Sequence, residues 1–500
     1  MLWSALLGLS LTSNIVSATT VRTSTPVLGW NSYNYYSCYP NETIIKDNAA
    51  GLVSLGFHNA GYTYVTTDCG WTANYRDSSG RLVWNSTTFP SGGPALGDYL
   101  HDLGLKFGVY SGAGYYQCGS TDQPASLGHE TTDADSISEW GADSLKAPKI
   151  GNSWRISNDI YDAWRSIWRI TNQVVPYFKH TGVGAYADMD MIIVGLRALS
   201  LEEERFHFGM WAINKSPLVI GAPMDTSITP IASLEILNNT EVIALNQDSL
   251  GKQAQLVRRY TTEQYDIWAA ELSGSRLVLG LANWYNGSQS VSMSLPADLG
   301  IASATARDVW AAQDLGTINN TYTTTLSGHE LRLLVLSDIV NATVGTPQSI
   351  GYYTASTNAT LSGAATVVSC STGECLPAGS KVGNIGKGES AAAVTFSGVA
   401  TNSAGTKLLG VDFINYDVAL ATAWEWGDNT RNLTVAVNEA GVNGTRFAFP
   451  ISGGDWYDTG RLYVYVDGFV AGDGNEVIFT ASGDDQWAPD LVGFEIYETD

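Results

Sequence analysis

Residues 139–160 read EWGADSLKAPKIGNSWRISNDI. Two short runs in this stretch, 142–146 and 154–157, read as β-strands. Amphipathic segments flank them and read as helices, 131–140 before and 159–174 after. Only residues 147–151 separate Lys146 from Asn152, whereas two parallel neighbours in one sheet need a crossover of a dozen or more residues. Either one of the two runs is not a strand of a common sheet, or a barrel built from them is incomplete.

The same alternation extends outward in both directions. Strands are expected at 27–31, 62–67, 105–110, 184–187 and 217–221. Helices are expected at 43–55, with Asn41 or Thr43 as cap, and at 93–103, 201–214 and 228–238. Repeated βα units at this pitch predict a parallel sheet or a (β/α)₈ barrel over 22–245, here with seven strands and a truncation between 146 and 152. From 246 to 340 the pattern changes to alternating strands with polar turns, at 265–272, 276–283, 290–295, 306–310 and 330–337. This predicts an antiparallel β-sandwich. A polar linker is expected over 341–351. Residues 352–500, rich in Gly and Asn turns, then predict a second all-β domain of the jelly-roll kind. The fold class is therefore multidomain, α/β plus all-β.

The ends and the composition narrow the function. Residues 1–18 read as a secretory signal peptide cleaved after Ala18, and no later run reaches the length of a membrane helix, so a secreted, extracellular chain is expected. Ten Asn-X-Ser/Thr sites, at Asn41, Asn85, Asn214, Asn238, Asn286, Asn319, Asn341, Asn358, Asn432 and Asn443, suit that route. Asn214 stands apart, because it lies in an apolar run just before Pro217. A net charge of −23, with 26 Lys and Arg against 49 Asp and Glu, argues against a nucleic-acid partner, whose phosphates need clustered cations. Sixteen Trp and 25 Tyr suit the flat faces of sugars, although most such rings fill cores.

Asp68, Asp159, Asp188 and Asp190 lie near predicted strand ends. Barrel enzymes gather catalytic groups at the C-terminal ends of their strands, and glycoside hydrolysis needs two carboxylates. An Asp after a strand also caps the following helix, and Asp159 could serve in that way.

Several ordered motifs make the reading specific: LGWNSYNYYSC (28–38), TTDCGW (66–71), LGLKFGVYSGAG (103–114), EWGADSLK (139–146), GNSWRISNDI (151–160), YADMDMIIVG (186–195) and KSPLVIGAPM (215–224). Together they resemble family 27 glycoside hydrolases, and most of all fungal secreted α-galactosidases of the D type. The resemblance implies a retaining α-galactosidase that releases terminal α-D-galactose from galacto-oligosaccharides and galactomannans, without metal or cofactor. It implies Asp159 as acid/base, favoured by a pKa raised in a closed pocket. It also implies substrate contacts at Trp30, Asp68, Lys146, Arg155, Asp188 and Met191. Arg155 could instead only neutralise buried carboxylates, and Met191 could be plain core.

Three departures stand out. Thr67 replaces the first Asp of the strand 2 pair, and Gly112 replaces the Asp after the strand 3 Tyr-Ser. More seriously, the family follows its strand 4 Lys with a motif carrying the nucleophile Asp, then a further strand. Here residues 147–151 hold no Asp or Glu. Five cysteines are an odd number for an exported chain. The resemblance implies a Cys38–Cys69 disulfide and leaves Cys118 unpaired, because its family partner lies in the missing motif. Cys370 and Cys375 are close enough in sequence to pair. A nucleophile-less chain would be a catalytically dead secreted carbohydrate-binding protein, the competing reading.

The last domain, with YYTASTNATLSG (352–363) and DLVGFEIYE (490–498), resembles family 35 carbohydrate-binding modules. That resemblance implies sugar binding, with Trp424 or Trp456 able to stack on a ring, and calcium held by loops.

Overall fold

The computed structural model describes residues 23–145, 152–388, 391–418, 428–438, 444–482 and 487–499. The expected signal segment 1–18, Lys146, Trp424 and the sequon at Asn443 lie outside them. Two compact units are formed, one from Arg22–Ser166 with Gly182–Gly251, the other from Ile167–Thr181 with Lys252–Asp500.

The first unit carries seven parallel strands, β1 Leu28–Asn31, β2 Tyr64–Thr67, β3 Lys106–Val109, β4 Ser144–Leu145, β5 Ser153–Arg155, β6 Tyr186–Asp188 and β7 Leu218–Ile220. Five pair in the order β4-β3-β2-β1-β7, and β5 pairs with β6. A single parallel bridge, Ile192 to Ile220, joins the β6 side to β7. This is the strand order of a (β/α) barrel. Among the described residues β4 and β5 are not paired, so the wall is open where the sequence leaves too short a crossover.

Close packing of the strands fixes small residues. A Cβ on Gly29 would lie 2.6 Å from the Tyr64 carbonyl oxygen across the β1–β2 pair. Trp30, Val65, Phe107, Val109, Leu218 and Ile220 are fully buried. The helices start where capping chemistry places them. In α1, Glu42–Ser54, Asn41 accepts the Ile44 N–H at 2.9 Å, and Ile45, Ala49 and Leu52 supply one buried stripe. After α2 (Gly92–Asp102), α3 (Glu130–Glu139) and α4 (Trp164–Val174), helix α5, Leu201–Ile213, opens with a reciprocal Ser200–Glu203 capping box. Because α4 starts at Trp164, five residues later than expected, Asp159 is not its cap.

In the second unit, β8 Gln255–Tyr260, β9 Tyr265–Leu272, β10 Arg276–Asn283, β12 Ile301–Asp308, β13 Gln313–Asn319 and β15 Leu331–Asn341 form an antiparallel sheet. Its order is β8-β9-β10-β15-β12-β13, and the hairpin of β11 (Gln289–Ser294) with β14 (Thr321–Leu326) accompanies it. A second sandwich follows, from two sheets whose inner faces supply Val394, Phe396, Val411, Phe479, Phe494 and Ile496 to one core. The expected linker is shorter than 341–351. Strand β16, Pro347–Thr354, pairs antiparallel with the chain end, Pro347 opposite Thr499, and leaves only 342–346 between strands.

Both sandwiches and 167–181 share one unit because arginines knit them. Arg259 packs over the Trp168 ring at 4.8 Å and donates to Asn172 Oδ1 at 2.7 Å and to the Ala448 carbonyl at 3.2 Å. Arg258 lies over the Tyr463 ring at 5.2 Å.

Asn214 is fully buried, and its amide donates to the Met210 carbonyl at 2.9 Å. This corrects its reading as a glycan acceptor, since a folded chain does not present it. No helix among the described residues is long and apolar enough to cross a membrane.

Candidate active site

The C-terminal ends of the strands place the candidate residues. After β2, Asp68 is nearly buried and its carboxylate is oriented by three contacts. Oδ2 accepts from Asn31 Nδ2 at 2.8 Å, Oδ1 accepts from the Cys69 N–H at 2.8 Å, and the Asp68 N–H donates to Ser32 Oγ at 3.0 Å. The Cys38–Cys69 disulfide ties the β1 and β2 loops together. Gly70, at φ +90°, fits beneath it, where a Cβ would sit 2.0 Å from the Cys38 carbonyl oxygen. Thr67 is fully buried, with no hydrogen-bond partner for Oγ1 among the described residues.

Trp30 is also fully buried, edge-on to Tyr36 at 6.2 Å, with Nε1 donating to the Ala222 carbonyl at 2.8 Å. Neighbouring side chains enclose that ring.

Beyond β3, burial pushes the Tyr110 hydroxyl up to about 12, with Asp68, Cys118 and Asp159 adding to the effect and the Cys118 N–H opposing it. Gly112 explains its own departure. A Cβ there would lie 3.2 Å from Ala125 Cβ, because the 112–127 loop folds back over it, with the Ser126 N–H donating to the Gly112 carbonyl at 3.0 Å.

Arg155 ends β5, opposite Asp188 of β6. One of its guanidinium nitrogens reaches Asp159 Oδ1 at 2.8 Å and Asp190 Oδ2 at 2.6 Å. Burial disfavours its charge, but Asp190, Asp188 and Asp159 outweigh that and hold the guanidinium above its ordinary value.

Asp190 is the group that the assignment of Asp188 passed over. Its Oδ1 accepts the Met191 N–H at 2.7 Å and its Oδ2 also accepts the Ile160 N–H at 2.8 Å. Its own N–H donates to Asp188 Oδ1 at 2.9 Å. The backbone there has φ +84°, rare for a residue with a Cβ. Asp188 therefore supports the turn, and Asp190 meets the arginine. Both alternate on one face of a strand pattern, and the only sequence signal was that shared spacing. Met191 is buried, and its N–H anchors Asp190.

The Asp159 side chain is 61% exposed. The closed pocket expected around it is not formed by the described residues, because it follows β5 at the open edge of the wall. Cys118 is exposed and outside both disulfides, the second of which joins Cys370 to Cys375.

In the C-terminal sandwich, Trp456 is half-buried, with Arg431 over its ring at 4.8 Å. It lines a cleft of about 350 Å³ with Lys381, Trp487 and Asp490. Among the described residues no three or more His, Cys, Asp or Glu side chains gather as a metal site, so the calcium expected in this domain finds no ligand set there.

Against known proteins, residues 25–149 and 146–248 match the alpha galactosidase A family, and 262–336 match the alpha galactosidase C-terminal beta sandwich domain. The barrel match is thus in two pieces that meet at 146–149. A protein of Aspergillus fumigatus named probable alpha-galactosidase D is 36% identical over 629 residues, covering 95% of this chain and 96% of its own length. That alignment is longer than the 500 residues of this chain, so some of its positions have no counterpart here. Alpha-galactosidase D of Emericella nidulans is 33% identical over 638 residues, covering 95% of each. Among solved structures, alpha-galactosidase I of Mortierella vinacea superposes with a TM-score of 0.61 at 30% identity, over 65% of this chain and 100% of the other.

Proposed function

The chain belongs to the α-galactosidases of glycoside hydrolase family 27, and from that premise we propose that its barrel recognises a terminal, non-reducing α-linked galactose. Asp159 is the acid/base of a retaining mechanism, and the nucleophile of that mechanism is missing from this chain. Asp68 and Arg155 supply aimed acceptor and donor groups for ring hydroxyls, together with Lys146. Asp190 is held away from nucleophilic attack, because both of its oxygens are engaged by Arg155 and two backbone N–H groups. Galacto-oligosaccharides and galactomannan side chains are the substrate class, and the chain acts outside the cell as a glycoprotein.

The observation that carries this reading is the coincidence at one junction. The family match divides at 146–149, the parallel wall is unpaired between β4 and β5 among the described residues, and residues 147–151 contain no carboxylate. Double displacement needs two carboxyl groups about 5–5.5 Å apart, and Asp159 supplies one.

The experiment combines a binding and a turnover measurement on one preparation. Calorimetry should detect galactose, while an aryl α-galactoside should be cleaved orders of magnitude more slowly than by the Aspergillus relatives. A mechanism-based inhibitor should leave no galactosyl ester. Family-like turnover that disappears on Asp159→Asn would overturn the missing nucleophile. The second reading, a secreted sugar-binding protein without hydrolysis, draws on the same missing carboxylate and is favoured by binding with no turnover at all.

A further inference from the structure

Helix α5 is buried over most of its length, yet one stripe of it is polar. Glu204, His207 and Trp211 stand at the i, i+3, i+7 spacing of a single helix face and are 3%, 0% and 0% exposed. A buried carboxylate, imidazole or indole N–H destabilises a fold unless it is hydrogen-bonded, so the purpose of the stripe lies in its partners.

All three partners belong to one loop, the one that follows β6. Trp211 Nε1 donates to the Asp190 carbonyl at 2.9 Å, His207 Nε2 accepts the Ile193 N–H at 3.0 Å, and Glu204 Oε1 accepts the Gly195 N–H at 2.8 Å. As the loop runs from 190 to 195 its partners step back along the helix from 211 to 204, so loop and stripe are joined like rungs of a ladder. The His207 and Trp211 rings meet edge-on with centroids 4.1 Å apart. Between the rungs, Ile192 ties the same loop to β7, its N–H donating to the Val219 carbonyl at 2.7 Å.

The first rung reaches the site. Asp190 has left-handed backbone, which a residue with a Cβ keeps only where its surroundings fix it. Asp188 Oδ1 accepts its N–H and Trp211 binds its carbonyl, so both backbone polar groups of that residue are clamped. Its carboxylate is thereby aimed at Arg155 and at the Ile160 N–H, which belongs to the loop after β5. We propose that Glu204, His207 and Trp211 are positioning residues, which fix the turn at Asp190 and through it the guanidinium of Arg155. The inference rests on the reading of Arg155 as a donor to the sugar, and none of the three touches the sugar itself.

Two measurements on the full chain test this: hydrogen exchange at the Ile160 amide, read by mass spectrometry with site-resolving fragmentation, and galactose affinity by calorimetry. Trp211→Phe keeps a buried ring and removes the N–H. Glu204→Leu removes the acceptor, while Glu204→Gln keeps a carbonyl oxygen for the Gly195 N–H. Trp211→Phe and Glu204→Leu should each speed Ile160 exchange about tenfold and weaken galactose binding by a similar factor, the size expected for one lost buried hydrogen bond. Glu204→Gln should restore both. Leu96→Ala, a change at a fully buried site in α2, should lower the denaturation midpoint and leave Ile160 exchange as it was. Unchanged exchange in Trp211→Phe, an equal rise in Leu96→Ala, or no difference between Glu204→Gln and Glu204→Leu would each overturn the proposal. So would faster exchange with full galactose affinity, which would make the stripe structural only. The expected exchange pattern in a chain that binds no galactose even when unmodified would leave the positioning of Asp190 standing and defeat the galactose reading instead.

Discussion

Arg155 donates to the nearly buried carboxylate of Asp190 at 2.6 Å, through the same nitrogen that reaches Asp159. Removing the guanidinium would strand a buried charge, so Arg155→Ala should cost about 3 kcal/mol of stability, read as a lower urea midpoint. Arg155→Lys should recover part of that stability but not the shared contact, because one ammonium lacks the planar fork. Equal stability of all three chains would show that the arginine only screens the surface.

His207 gives the fold a signature in acid. It is fully buried, its Nε2 accepts the Ile193 N–H at 3.0 Å, and burial lowers its pKa to about 3 from 6.5. Between those values the unfolded chain binds the proton and the folded chain does not. Stability from this group is therefore present above about pH 6.5 and falls on acidification, by up to about 1.4 kcal/mol per pH unit. His207→Phe should be less stable at neutral pH, having lost the acceptor, and should show a shallower loss between about pH 6 and 4. Chemical denaturation across pH measures both, and parallel curves for the two chains would remove His207 as the cause.

The strands of the barrel were legible because their apolar runs, such as Phe107–Val109 and Leu218–Ile220, are interrupted by amphipathic helices with visible caps. The hairpin of Thr72–Arg76 with Leu82–Trp84 was not legible. Its first strand is mostly polar and its second only three residues long, and it is held by a distant partner, Arg76 to Asp133 at 2.6 Å. The exposed strand Gln313–Asn319 lacks alternation for the same reason that it lacks a buried face. Strand β16 exists only through pairing with the chain end. At the site, the motifs led to Asp159 and Arg155. The choice of Asp190 over Asp188 as the arginine's partner needed a left-handed backbone that no spacing reveals.

Cys118 should be the one thiol open to reagent. It is exposed and lies outside the disulfides Cys38–Cys69 and Cys370–Cys375. A maleimide under native, non-reducing conditions should add a single label per chain, found at Cys118 by peptide mass mapping. Denaturation with reduction should raise the number to all five. A native chain without label, or one labelled at Cys69, would contradict this pairing.

The C-terminal sandwich should behave as a brace for 167–181 rather than as a tethered appendage. Asn429, buried at φ +53°, donates from Nδ2 to the Arg169 carbonyl and to Gln173 Oε1, each at 3.0 Å. Asn429→Ala loses both bonds and places a Cβ-bearing, non-capping residue in left-handed backbone, at a cost of about 2–4 kcal/mol. Asn429→Gly loses the bonds alone and should cost about 1–2 kcal/mol. Thermal unfolding that separates the three chains in that order checks both parts, and no separation would make the contact incidental.

The strongest test of the site is to return what the junction lacks. Replacing residues 147–150 with the segment that lies between the two flanking motifs in the Aspergillus relative should, on the family resemblance, supply a strand and a carboxylate where β4 and β5 are unpaired among the described residues. The new strand would pair with both edges of the wall and enclose Asp159, which stands 61% exposed beside Arg155. Enclosure matters because a carboxyl in a dry pocket is better able to hold the proton that the leaving oxygen needs. The chimera should therefore cleave an aryl α-galactoside by orders of magnitude faster than the chain as it stands. Asp159→Asn in the chimera should remove about 10²- to 10⁴-fold of that gain, the range expected for one acid/base group. It should spare the covalent step more for an aryl leaving group, which needs little protonation, than for an oligosaccharide. A chimera that folds, binds galactose and still fails to cleave would mean that Asp159 and Arg155 do not converge on the bond to be broken.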